Sequence, residues 1–170
     1  HADMYGAIIV EPDTPGADFG VIFIQNEGYS TGCGHAVIAL TKVFVETELI
    51  PKIEPVTEVR MDVPSGFIRS YADVKNGEVT GVGFHNVPSF VQLKDANVDV
   101  PGIGSIKYDL AFGGAFYAFV DVNQVGLDCT ENHHDALIET GMKIKRAVMG
   151  SVKMDHPKEP DMNVLYGTIF

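Results

Sequence analysis

The groups best placed to do chemistry in this sequence fall in one short run, Gly28-Tyr29-Ser30-Thr31-Gly32-Cys33-Gly34-His35. It joins a β-type apolar segment, Val21 to Gln25, to an apolar helical stretch that begins at Gly34. A thiol at the first turn of a helix lies where unpaired backbone N–H groups and the positive end of the helix dipole converge. That position favours a thiolate and offers a seat for a carboxylate. Gly32 and Gly34 leave the backbone around Cys33 uncovered, so a small substrate can approach, and His35 can orient the thiol or hydrogen-bond that substrate. The competing reading makes Cys33 a small buried hydrophobe and the glycines a simple turn. Residue types alone leave both open.

The other candidate groups carry less. His133 and His134 are metal-ligand types, but adjacent residues point to different sides of a helix, and no further Cys or carboxylate spacing completes a site, so no metal is expected. His85 reads as a strand residue and His156 as a loop residue, each with a structural hydrogen bond. Cys129 stands at the entrance to a surface helix as a bystander. Gly113-Gly114 leads into a strand rather than a helix, the wrong context for a phosphate loop. The acidic run from Asp155 to Asp161 is a solvated loop.

Composition narrows the function classes. At 170 residues and 45% hydrophobic the chain can bury a sizeable core. Twelve Lys and Arg against 23 Asp and Glu give a net charge of −11, without the basic stripe that nucleic acid requires. No apolar run reaches the roughly 18 to 20 residues of a membrane span, and no basic stretch feeds an apolar signal region. Two cysteines are too few for a disulfide framework and suit a reducing compartment, so the expected location is cytoplasmic. The chain opens on His1 and closes on the apolar run Val164 to Phe170, and both ends are expected to be cuts through a fold.

These elements must position the thiol. Ala7 to Val10 and Val21 to Gln25 read as neighbouring strands separated by Pro12, Pro15 and Gly16. From Gly34 to about Leu49 the apolar residues cover nearly the whole helical circumference, which predicts a buried helix. Pro51 and Pro55 end it. Strands resume at Val59 to Val63, Phe67 to Val74 and Val79 to Phe84, the last two joined by the type I′ hairpin signal Asn76-Gly77. Val98 to Val100, Ile106 to Leu110 and Ala115 to Val122 are further strands. Thr130 caps a second, amphipathic helix to about Met149, with Lys143, Lys145 and Arg146 toward its C-terminal end. The sum is an α+β fold whose sheet curls around a central apolar helix, with a second helix outside.

The run Gly28 to Leu40 resembles the Gly-Tyr-Ser-Thr-Met-Cys-Gly-His signature of the proline racemase and hydroxyproline dehydratase family. His1-Ala2-Asp3-Met4-Tyr5-Gly6 resembles a second block of that family. Phe84 to Phe90, Asp109 to Ala118 and Leu165 to Phe170 follow in the family's order. The likeness implies a diaminopimelate epimerase-like half: a curved, mostly antiparallel sheet around the central helix. It implies an N-terminal domain over 1–110 that holds the first catalytic helix, and the start of a pseudo-symmetric second domain over 111–170.

The resemblance also implies a chemistry without cofactor. Removing an α-proton from an amino acid without an electron sink needs a base in a dry pocket and a carboxylate neutralised by fixed N–H donors. By analogy Cys33 is the thiolate base, Gly34 and His35 contact the substrate, and Tyr5 lines the pocket as an aromatic wall. The family's opposite motif, Asp-Arg-Ser-Pro followed by Cys or Thr, is absent from this sequence and is expected beyond Phe170. The implied partner is a small molecule, proline or hydroxyproline, with no nucleic acid and no membrane; a homodimer is compatible.

Gly113-Gly114-Ala115-Phe116-Tyr117-Ala118, His35-Ala36-Val37 and Leu165-Tyr166-Gly167-Thr168-Ile169 resemble trans-3-hydroxy-L-proline dehydratases more than proline racemases. A proline racemase or 4-hydroxyproline 2-epimerase is the alternative within the family. A non-catalytic amino-acid-binding or structural fragment is the alternative of another class. Gly32 departs from the family's Met, which implies looser positioning of Cys33 rather than lost chemistry.

Overall fold

A computed structural model describes residues 4–26 and 28–170. His1, Ala2 and Asp3 of the second resembling block lie outside the described residues. The chain forms two compact units, His1–Val87 and Pro88–Phe170.

The first unit is a six-stranded sheet with one helix. Its strands are β1 (Tyr5–Val10), β2 (Phe19–Gln25), β3 (Gly28–Ser30), β4 (Val56–Val63), β5 (Gly66–Lys75) and β6 (Glu78–His85), and α1 (Gly34–Glu46) connects β3 to β4. Spatial order is β1-β2-β4-β5-β6, with β3 also on β2. One edge of β2 is shared: Phe19 and Gly20 pair in parallel with Met61 and Asp62 of β4, whereas Phe23 to Gln25 pair antiparallel with β3. The chain therefore leaves β3, turns at Cys33, runs through α1 and returns to the other end of the same edge.

Strict alternation builds the core. Thr57, Val59, Met61 and Val63 of β4 and Ile68, Ser70, Ala72 and Val74 of β5 are buried on one face, as period-2 side chains must be when one face of a sheet is covered. Each fully buried Ile or Met there contributes on the order of 1.5–3 kcal/mol. The Asn76-Gly77 turn has φ of 55° and 78°, both positive as type I′ geometry demands.

α1 packs on β5 and β6 through Val37, Thr41 and Val45, and Phe44 stacks on Phe19 with ring centroids 4.2 Å apart. The expectation of a helix buried all round is corrected here. Ile38 is 40% and Val43 49% exposed, because the sheet of this unit covers one side of α1 and leaves these side chains on the other. A polar chain fixes the covered side. The Thr41 hydroxyl lies 2.7 Å from the Val37 carbonyl and 2.6 Å from the Ser70 hydroxyl, which lies 3.1 Å from the Val59 carbonyl, all of it buried.

In the second unit β7 (Phe90–Val100), β8 (Gly104–Phe112), β9 (Phe116–Phe119) and β10 (Leu165–Ile169) form a sheet ordered β10-β9-β8-β7, antiparallel except for β10 on β9. α2 (His134–Ser151) buries Ile144 and Val148 and packs against β7 and β10. Two expectations change. Thr130 begins a 3-10 turn, Glu131–His133, but its hydroxyl donates to Asp128 rather than capping the helix. Lys143, Lys145 and Arg146 precede the last turn, which holds no basic residue because the helix runs on to Ser151.

Candidate active site

Cys33 is the N-cap of α1, in extended conformation with φ −150° and ψ 102°, and its carbonyl accepts the Val37 N–H at 3.0 Å. The side chain makes no capping bond, and the first turn of the helix contains no acidic residue. The N–H groups of Gly34, His35 and Ala36 have no acceptor within the helix. A helix start whose own side chains offer no negative charge is suited to an anion supplied from outside.

The turn before the helix is pinned at its carbonyls. The Ser65 N–H, in the β4–β5 turn, donates to the Thr31 carbonyl at 2.9 Å, and the Ser30 hydroxyl donates to the Gly32 carbonyl at 3.0 Å. In a trans peptide the N–H points opposite its carbonyl, so with the Gly32 carbonyl turned onto Ser30 the Cys33 N–H faces away from it. The order of the turn thus comes from neighbouring backbone and one serine, without a side chain at residue 32.

Cys33 is half-buried, while Gly34 and His35 are exposed. Gly34 has a packing role as well: a Cβ there would lie 3.1 Å from Cζ of Phe84, so the absence of a side chain lets the helix start approach β6. Gly32 is different. Its Cβ would meet only the Ser65 hydroxyl, at 3.4 Å.

Register places Tyr5 opposite Gln25, which pairs on its other side with Gly28; one pair away, Ala7, Phe23 and Ser30 form the next row on the same face. Phe23 is buried on that face, which α1 also covers through the Phe19–Phe44 stack. Tyr5 therefore stands on the α1 side of the sheet, in the row of Gly28 where β3 begins, one row from Ser30, at which the chain leaves β3 toward Cys33.

The remaining sequence candidates are not brought to this turn. His133 contacts Asp128 at 2.8 Å and His134 contacts Asp135 at 3.0 Å, so the adjacent imidazoles engage different carboxylates. Among the described residues no three His, Cys, Asp or Glu side chains converge as a metal site. His85 packs edge-on to Tyr71. His156 sits against Phe112 and accepts the Glu159 N–H at 2.9 Å, the structural role expected of it. Cys129 is exposed. Cavities of about 420 and 470 Å³ lie within the second unit, the larger lined by Phe90, Phe112, Tyr117 and Phe119, and Cys33 lines neither. Sequence reasoning named Ser30 and Phe84 as members of their runs without their roles at this turn, and it missed Ser65, for which the β-turn composition Pro64-Ser65-Gly66 was the available signal.

The α+β fold presents a thiol at a helix start whose first-turn N–H groups have no intrahelical acceptor, a position that can receive an anion. The chain belongs to the proline racemase family, whose family model matches residues 1–170. It is 47% identical over 170 residues to the trans-3-hydroxy-L-proline dehydratase of Colwellia psychrerythraea, a match that covers 100% of this chain and 48% of that protein. It is 44% identical over 169 residues to the 3-hydroxyproline 2-epimerase of Burkholderia multivorans, covering 99% of this chain and 50% of that one.

Among solved structures, a hydroxyproline epimerase from Agrobacterium vitis with bound trans-4-hydroxy-L-proline superposes with a TM-score of 0.90 at 30% identity. That match covers 97% of this chain and 49% of that one. That likeness bears out the α+β fold class expected from the sequence. The chain spans about half the length of the curated relatives it matches. Among the described residues, no helix is long and apolar enough to cross a membrane.

Proposed function

We propose that the complete protein removes the α-proton of a proline-type amino acid without a cofactor, and that its reaction is dehydration of trans-3-hydroxy-L-proline. The observation that carries the reading is the placement of Cys33, a half-buried thiol at a helix start whose first-turn N–H groups have no intrahelical partner and no acidic neighbour. Those N–H groups neutralise the substrate carboxylate, so the electron pair left when the Cα–H bond breaks can delocalise into it. The Cys33 thiolate takes the proton. Gly34 and His35, exposed at the helix start, contact the substrate, and Tyr5 forms a wall.

In the dehydration the electron pair then expels the 3-hydroxyl, which leaves as water after gaining a proton. The enamine product tautomerises to Δ1-pyrroline-2-carboxylate. Cytoplasmic location accords with two free thiols.

The 44% identity to a 3-hydroxyproline 2-epimerase supports a second reading, in which a donor on the opposite face returns a proton to Cα. Separate incubation of the complete enzyme with trans-3-hydroxy-L-proline and with L-proline divides the two. Formation of the cyclic imine from the first substrate supports dehydration. Inversion at Cα without loss of water, on either substrate, replaces it with the epimerase or racemase reading. If neither occurs, the non-catalytic alternative stands.

A further inference from the structure

The β4–β5 turn, bonded to the turn that presents Cys33, carries a buried polar group with no hydrogen-bond partner among the described residues. The hydroxyl oxygen of Ser65 is shut off from solvent and has no hydrogen-bond partner among the described residues. It lies against Gly32, 3.4 Å from the point a Cβ would occupy there. The Ser65 backbone is tied to the same turn through its N–H bond to the Thr31 carbonyl, so the hydroxyl is held beside the residue that precedes the thiol.

A buried hydroxyl left unpaired is destabilising, and an alanine at residue 65 would remove the defect. The nearby carbonyls are already engaged: Thr31 by Ser65 N–H, Gly32 by the Ser30 hydroxyl, Cys33 by Val37 N–H. A serine O–H can rotate to serve whatever acceptor appears. The new acceptor that the proposed reaction creates in this turn is the thiolate of Cys33. Preorganised donors aimed at a charge that develops later are a recurrent catalytic device.

We propose that Ser65 is a positioning residue whose hydroxyl, unpaired in the resting protein, favours the anionic state of the Cys33 turn. The proposal rests on Cys33 being the reacting thiol. Its test needs no substrate: the rate of Cys33 alkylation by iodoacetamide is followed against pH in this chain carrying Cys129→Ser, with and without Ser65→Ala or Ser65→Thr. Thermal unfolding is recorded for each variant.

Ser65→Ala is expected to be at least as stable as its parent, yet to need a pH about one unit higher for half-maximal alkylation, a roughly tenfold slower reaction on the acidic limb. Ser65→Thr, which keeps a hydroxyl, stays close to the parent pH. A purely structural serine would lower stability on truncation and leave the pH profile in place; an unmoved half-maximal pH in Ser65→Ala overturns the proposal, whatever the stability. A parent in which Cys33 reacts no faster than an exposed thiol at any pH overturns both this proposal and the reading of Cys33 as the base.

Discussion

The Thr41–Ser70 pair is open to a quantitative test because its protons can be counted. Three short contacts run from the Val37 carbonyl through two hydroxyls to the Val59 carbonyl, but the two hydroxyls supply only two protons between them. The hydroxyls must therefore share, either with Thr41 donating to Ser70 and Ser70 to Val59, or with the order reversed toward Val37.

Thr41→Val keeps the side-chain shape and leaves Ser70 its carbonyl acceptor, so about 1 kcal/mol of stability is lost. Ser70→Ala frees Thr41 to donate to Val37 and removes one buried oxygen, again costing on the order of 1–2 kcal/mol. Because each single change breaks the same central contact, the double variant costs less than the sum by about 0.5–1.5 kcal/mol. Urea unfolding followed by far-ultraviolet circular dichroism suits a chain without tryptophan. Additivity within about 0.3 kcal/mol would refute the shared chain and leave α1 held to β5 by apolar packing alone. Since Thr41 lies roughly two turns from Cys33, the same variants loosen the axial position of the turn that carries the thiol.

Other outcomes follow from the same geometry. Gly34→Ala is expected to cost about 1 kcal/mol in thermal unfolding because its Cβ would press on Phe84 at 3.1 Å, and Phe84→Leu in the same chain should recover part of that loss. A Cβ at Gly32 would meet only the Ser65 hydroxyl, at 3.4 Å, and replacing the glycine narrows the unfolded ensemble. In the complete enzyme Gly32→Met should therefore equal or exceed the parent turnover and gain about 0.4–1 kcal/mol of stability; a large drop in turnover would reject looser positioning as the consequence of this glycine. The Thr130 hydroxyl, then the His133 ring, hold the Asp128 carboxyl below the usual carboxylate range. With the folded value depressed, the contribution to stability is present above the unfolded value and fades as pH falls through the folded one. Thr130→Val should move the Asp128 titration, read by carbon-13 NMR, back upward.

How much of this was legible depended on whether local chemistry or tertiary context decided each feature. Asn76-Gly77 announced its hairpin because few residue pairs accept two positive φ values, and the structure has them. The start of α1 at Gly34 was legible because the glycine-flanked turn meets a sudden apolar run. β3 escaped notice because three residues, one of them Gly28 at φ 131°, show no alternation. The first half of β7 was hidden by bulges between Val91 and Ala96 and by Asp95 at φ 54°, which break the two-residue period just where polar residues are frequent. Thr130 looked like a cap until Asp128 competed for its hydroxyl. At the site, Cys33, Gly34 and His35 could be named from residue types and resemblance. Ser65 could not, because an unpaired hydroxyl is a property of what surrounds it.

The central claim is that Cys33 takes the α-proton. The direct measurement is proton NMR of trans-3-hydroxy-L-proline in deuterium oxide with the complete enzyme and its Cys33→Ser variant. The parent is predicted to consume the α-proton signal as the cyclic imine forms, and the variant to slow that loss by at least about 10²-fold while remaining folded. A Cys33→Ser enzyme that removes the α-proton at the parent rate would contradict the account.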